Sequence, residues 1–424
     1  MKYLILLLTL SASLIAVQAA PGNDSLPIGH TTPLPVPAFD PEAATQQYVE
    51  SLPAKDRERS NAYFEGGYWL ILWAFLYGAV GAWIFLFGGL SAWIKRKTSR
   101  FRSVNIRNLF YAILYLPIVF LLSLPLDIYQ NFIREHQYGL SNQNFGQWLG
   151  DDLKSLAVNL ILGSLALVIL YMVGRKAGKR WWIWGAMLSI FFLIIGAIIA
   201  PVFISPLFNK YKPLDEGPLK AQILSMARAN QVPADNVYQF DASLQSKRIS
   251  ANVSGFAGTT RISLNDNLLN RCSPAEIKAV MGHEMGHYVL NHIYKSIIEF
   301  GLVIFLGFAF VAWAAEKLLK RYGARWKVES VTDIAGLPLI IFLFSFYMFL
   351  ATPVTNTITR TQEIEADQFG LNAAREPDGF ASTAMKLSEY RKIAPGYWEE
   401  LFFFDHPSGR RRVHAAMVWK AEQK

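Results

Sequence analysis

Apolar runs near spanning length recur along this chain, separated by short charged segments. Windows at 69–94, 109–126, 153–173, 182–204, 300–315 and 334–351 approach or exceed the ~20 residues that a helix needs to cross a bilayer, so six membrane helices are expected. An earlier run at 3–16 follows Lys2 and ends in Val17-Gln18-Ala19, a small-residue cleavage pattern; residues 1–19 read as a signal peptide or a first span. Residues 20–67 read as an exoplasmic linker with an amphipathic segment, its first part rich in Pro and Gly. This divides the chain into an N-terminal membrane-helix domain at 68–208 and a second domain at 209–424, the latter interrupted by the last two spans.

Composition supports the membrane reading: 52% of residues are hydrophobic, only 17% are charged, and there are 12 Trp and 29 Phe. The net charge of +9 is concentrated in three loops, at Lys95–Arg107, Arg175–Arg180 and Lys317–Lys327. By the positive-inside rule these loops are cytoplasmic. Residues 127–152 carry few cations and belong on the other side. The same count puts 205–295 and 352–424 together on the exoplasmic or periplasmic face, because two spans separate them. The expected location is a cell membrane, crossed many times.

Between the fourth span and residue 273 the period changes. Val237–Phe240, 249–253 and 261–264 are short runs of β-branched and aromatic residues, with a Gly255–Gly258 turn before the last; they predict a small antiparallel sheet. Then Ser273, Pro274 and Glu276 supply an N-cap, a first-position proline and the third-position acid of a capping box, which together start a helix.

That helix carries His283-Glu284-Met285-Gly286-His287. Two imidazoles four residues apart lie about 40° from each other around a helix axis, so both can bind one metal ion from the same side. Glu284 lies close enough to activate a metal-bound water without closing the coordination sphere. His292, five residues past His287, would point about 140° away on a continuing helix and is not expected as a ligand. The third ligand must come from afar. Thr359–Asp367 holds three acids at helical spacing, with Glu363 and Asp367 on one side and Glu365 opposite. Glu363 is the expected third ligand, leaving a fourth position for water, as in a catalytic zinc site. Asp367 would accept from a ligand histidine or carry a proton. The competing reading is an exposed acidic face paired with Arg360 or Arg375. Glu276, Lys278, Asn291 and Lys295 on the motif helix make it amphipathic, so the chemistry should sit at the membrane surface rather than in the bilayer centre.

Taken together, 205–214 (Ser-Pro-Leu-Phe-Asn-Lys-Tyr-Lys-Pro-Leu), the His-Glu-x-x-His helix, Glu363-x-x-Ala366-Asp367 and His406-Pro407 resemble the type I CAAX prenyl protease family of membrane-embedded zinc metallopeptidases. The likeness runs from about residue 39 onward and includes Glu135–Leu140. It implies a mainly α fold: a multi-pass helical membrane barrel around a chamber, joined to a zincin-like metallopeptidase domain with a small β-sheet. It also implies one zinc per chain on His283, His287 and Glu363, Glu284 as general base, Asp367 as proton donor, and His406 and Arg412 near the bound peptide or its oxyanion. Where the family has Asn-Ala on the substrate-binding edge strand, this chain has Ser250-Ala251.

The expected function is zinc-dependent endopeptidase activity on peptides or membrane-protein segments at the bilayer surface. A monomer with no nucleic-acid partner is expected. Two alternatives stand beside it: a heat-shock-type quality-control metallopeptidase, which has about four spans, and a transporter or receptor that binds metal without hydrolysis.

Overall fold

The computed structural model describes residues 39–254 and 260–423; the 1–19 segment, the linker before residue 39 and the Gly255–Gly258 turn lie outside the described residues. After α1 (Pro41–Glu50) come α2 (Ala54–Leu86), α3 (Leu90–Thr98) and α4 (Val104–Asp127), the last prolonged by a π-helical turn to Gln137. A rod formed by α5 (Phe145–Val158) and α6 (Ser164–Ala177) turns back at Gly178, whose φ of 55° and ψ of −124° suit a residue without Cβ, and returns as α7 (Trp181–Ile199).

Five helical stretches among the described residues are long and apolar enough to cross a membrane: Ala54–Leu86, Val104–Gln137, Phe145–Leu207, His292–Trp326 and Ile334–Ala374. As one straight rod the 63-residue third stretch would be about 95 Å long, three times a hydrocarbon core. The reversal at Gly178 makes it two crossings, which gives the six windows read from hydropathy. One window is misplaced. The first expected span, 69–94, runs through a break at Gly88-Gly89, where Gly89 has φ +76°. The crossing helix starts earlier and stops at Leu86, while α3 tucks Ile94 against Phe85, Tyr111 and Tyr115.

The ends of the spans sort by charge. Lys95 bonds Asp333 Oδ2 at 2.6 Å and Glu329 Oε1 at 3.1 Å, joining the first basic loop to the third. Arg175 donates to Asn105 Oδ1 at 2.5 Å, joining the second to the first. At the opposite end Arg248 reaches Glu135 at 2.7 Å and Tyr63 Oη at 2.8 Å, fastening the span ends to the extramembrane lobe.

That lobe is built on four strands, β1 (Tyr211–Pro213), β2 (Val237–Phe240), β3 (Ala251–Ser254) and β4 (Arg261–Asn265), in the order β1-β2-β4-β3. The sheet is mixed rather than antiparallel. β3 and β4 pair antiparallel, but β4 lies parallel to β2. The ten residues after Phe240 carry the chain past the position of β4 before β3 begins, and Asp266 holds that crossover through Ser243 N and Oγ at 2.8 and 2.5 Å. β1 escaped the sequence reading because three residues ending in Pro carry no alternation. Among the described residues β3 is left as an edge.

Helices α8 (Pro218–Ala229) and α9 (Asp266–Arg271) flank the sheet, and α10 (Pro274–Val289) packs Ile277, Met281 and Met285 against Val237, Ile262 and Leu264 in one core. The start of α10 is the expected capping box. Its Glu276 is further bound by Ser382 Oγ at 2.5 Å and Lys386 Nζ at 2.7 Å from α13 (Pro377–Leu387). Burial would raise the Glu276 carboxyl, but these donors outweigh it and hold the group below the usual range. α10 ends at Val289, Asn291 takes a φ of +58°, and the chain departs as α11 (His292–Trp326), followed by α12 (Leu337–Ala374). Two short helices, α14 (Tyr397–Phe403) and α15 (Gly409–Glu422), close the chain.

α10 and α12 meet along small residues. A Cβ on Gly282 would stand 2.9 Å from Gly370 O, one on Gly286 3.1 Å from Ala366 Cα, and one on Gly370 2.8 Å from His283 N. The pairing of 282 with 370 and 286 with 366 makes the two helices antiparallel and sets backbone against backbone. Gly370→Val is therefore expected to cost about 1–3 kcal/mol or more by forcing the helices apart. Gly81→Ala, with nothing within 4 Å, should be close to neutral. Thermal unfolding of the purified protein in detergent compares them, and equal melting temperatures would disprove the tight seam.

Candidate metal centre

The seam delivers three donors to one point. His283 Nε2 lies 3.1 Å from His287 Nε2, and the carboxylate of Glu363 on α12 lies 3.3 Å from each of them, through Oε2 to His283 and Oε1 to His287. The three residues form the metal-capable group found among the described residues. Donors on one tetrahedral ion of zinc's size, bound at about 2.0–2.1 Å, stand about 3.3 Å apart. The observed separations lie near those edges, with the two Glu363 contacts made through different oxygens of its carboxylate. Glu363 Oε2 is also buried with no hydrogen-bond partner, a costly state that a cation relieves. The site fits a metal on both counts.

Electrostatics agree. Burial alone would lower the His283 imidazole, but Asp367 and Glu363 overcome it and push the group up to about 10, so the pocket demands a positive charge. Burial raises the Glu284 carboxyl, with His283 and His287 pulling the other way. The cavity, of about 310 Å³, is lined by His283, Glu284, His287, Glu363, His406 and Arg412, and on another wall by Ile249, Ser250 and Ala251.

Each of the two imidazoles is held from behind. His283 Nδ1 meets Asp367 Oδ1 at 2.8 Å, and Asp367 is clasped by Arg412, whose Nε is 2.9 Å from Oδ2 and whose terminal nitrogen bonds Oδ1. Both Asp367 oxygens are thus engaged, and the residue is not on the cavity wall. Arg412 is buried in this clasp, whereas its neighbour Arg411 is exposed. Arg360, weighed above as a partner for the acids, instead donates to the carbonyls of Glu400 and Phe404 at 2.9 and 2.5 Å. His406 Nε2 lies 3.3 Å from Glu363 Oε2, and its Nδ1 lies 2.8 Å from Asp405.

Sequence reasoning missed the support behind His287. Because α10 stops before Asn291, His292 begins a new helix, and the 140° estimate does not apply. His287 Nδ1 meets His292 Nδ1 at 2.8 Å, His292 Nε2 meets Glu365 at 3.0 Å, and Lys295 bonds the same Glu365 oxygen at 2.6 Å. The asparagine before His292, a residue type that tolerates left-handed backbone, was the available signal. Arg391 also lines the cavity, and its guanidinium makes no hydrogen bond or ion pair among the described residues.

Comparison with known proteins gives the same picture. Residues 213–420 match the model of peptidase family M48, and residues 41–210 match the CAAX prenyl protease N-terminal model, described as five membrane helices. The chain is 31% identical to the uncharacterized metalloprotease YhfN of Bacillus subtilis, over 70% of each chain. It is 31% identical to CAAX prenyl protease 1 of Saccharomyces cerevisiae, over 72% of this chain and 70% of that one. It is 27% identical to the human CAAX prenyl protease 1 homolog, over 71% of each. The crystal structure of S. mikatae Ste24p shares the fold with a TM-score of 0.75 at 22% identity, covering 89% of this chain and 95% of that one. With both halves matched, this chain belongs to peptidase family M48, as a multi-pass membrane metallopeptidase of the CAAX prenyl protease type.

Proposed function

We propose that the chain is a zinc endopeptidase that cuts extended peptide segments at the exoplasmic surface of the membrane, as a monomer with one zinc held by His283, His287 and Glu363. The observation that carries this is the convergence of two imidazoles and one carboxylate within 3.3 Å of one another, with Glu284 beside them on the wall of a cavity bordered by an edge strand. When bound, the zinc ion polarises the scissile carbonyl and acidifies the attacking water.

The chain's own residues do the rest. Glu284 takes the proton from the water and returns it to the leaving amine, a role suited to a carboxyl whose pKa burial has raised. His406, on the cavity wall, donates to the oxyanion as the carbonyl is attacked. Asp367 and Arg412 fix the ring of His283, and His292 with Glu365 fixes that of His287, which makes all four positioning residues. β3 pairs only with β4 among the described residues, so its outer edge offers backbone donors and acceptors to a peptide by strand addition. Such recognition is indifferent to most side chains.

The three linked basic loops lie at the membrane end away from the metal centre, which favours an exoplasmic site. A second reading, cleavage of prenylated CAAX peptides, is favoured by the names of the relatives matched over about 70% of their length. Cleavage of a prenylated CAAX peptide and of its unprenylated form by the same preparation separates the two.

Three outcomes are expected. Glu284→Gln should keep its zinc, measured by elemental analysis, while peptide cleavage falls by about 10²–10⁴-fold; unchanged cleavage would end the hydrolytic assignment. Glu365→Gln should weaken zinc binding about 10–100-fold in chelator competition, with wild-type affinity arguing that the His287 support is idle. In a Cys272→Ser background, Tyr397→Cys should react with an impermeant thiol reagent on intact cells and Lys179→Cys should not. The opposite labelling pattern would put the site in the cytoplasm.

A further inference from the structure

A second cavity, of about 350 Å³, lies among the membrane helices where α6, α7, α11 and α12 come together. It is far from the chemistry: on the unbroken helix α12 its wall ends at Ser345, eighteen residues before Glu363 and so about 27 Å away along the axis. Leu167, Leu170, Ile304, Phe308, Ile340 and Phe344 give it an apolar wall with no charged residue, and the volume is that of a ligand pocket.

Two polar features stand out. Tyr171 lines the cavity at 7% exposure, and its hydroxyl has no hydrogen-bond partner. A buried donor in so apolar a place is destabilising until it meets an acceptor. The second feature is charge. Gly174 and Trp181 form the rim, and the turn that joins them carries Lys176, Lys179 and Arg180, all exposed and with no ion pair or hydrogen bond among the described residues. By contrast, Arg175 at the start of the same loop and Lys95 in the neighbouring one are paired.

We propose that this cavity binds one anionic phospholipid of the surrounding bilayer, taken up on the basic-loop side. One acyl chain lies along the apolar wall, Tyr171 turns its buried Oη outward to donate to the ester carbonyl, and the phosphate sits beside Lys176, Lys179 and Arg180. This order of chemistry matches the lipid's own, from tail through ester to phosphate, and basic pockets between membrane helices on this side suit anionic headgroups. The inference does not depend on the peptidase reading.

The test uses the full-length protein in nanodiscs of phosphatidylglycerol or phosphatidylcholine, released into mild detergent and weighed by native mass spectrometry. Wild type should retain one phosphatidylglycerol in preference to phosphatidylcholine by about tenfold or more. The exposed triple variant Lys176→Gln/Lys179→Gln/Arg180→Gln, which touches no packed residue, should lose that preference. Tyr171→Phe should hold phosphatidylglycerol less tightly, and Ser189→Trp, which fills the cavity, should retain neither lipid. Equal retention of the two lipids by wild type, or a preference that survives the triple substitution, would overturn the proposal. Displacement of the phospholipid by equimolar farnesol would assign the cavity to an isoprenoid and overturn it as well.

Discussion

The close approach of α10 and α12 is the constraint on which the rest depends. A metal centre with ligands from two helices needs their backbones near enough for short side chains to converge, and Gly282, Gly286, Ala366 and Gly370 remove the side chains that would keep them apart. The histidines and Glu363 then meet without strain. Apolar packing alone would not hold this spacing, because larger residues pack equally well at a greater distance. Glu276 adds a polar fastening at the start of α10, joining it to α13 behind the site.

Around the donors the chain has arranged two parallel supports of different chemistry. On the His283 side a carboxylate is clasped by a buried arginine; on the His287 side an imidazole is backed by a carboxylate and a lysine. Each support ends in a cation that keeps its carboxylate ionised, so each is electrically closed before any metal is added. The ligand rings are oriented in advance, which lowers the entropy lost on binding.

Much of this was legible in the sequence because the signals are local. The Ser273-Pro274-Glu276 start, the four-residue spacing of the histidines and the hydropathy windows each describe a few consecutive residues, and apart from the first window the structure places them as read. What escaped depends on where helices end and on contacts between distant segments. His292 stays outside the metal-capable group, as its spacing suggests, but one left-handed residue at Asn291 starts a new helix and turns it back behind His287. The parallel pairing of β2 with β4 follows from a crossover that no strand pattern encodes. The first span was drawn too far because Ile94 is apolar for packing on Tyr111, not for lipid. The Arg412–Asp367 clasp spans 45 residues and reads in sequence as one cation in a basic run.

Helix α12 runs from Leu337 in the last apolar window to Ala374 as one continuous helix with Pro353 inside it, carrying Glu363 ten residues beyond that proline. A helix that is both a membrane crossing and the mount of a candidate ligand carries tilt from one to the other. Where the hydrocarbon layer thins or thickens, mismatch is accommodated by inclining such helices, and any inclination that α10 does not share moves the carboxylate relative to the imidazoles. Bilayer thickness would thereby bear on the spacing between the Glu363 carboxylate and the two imidazoles.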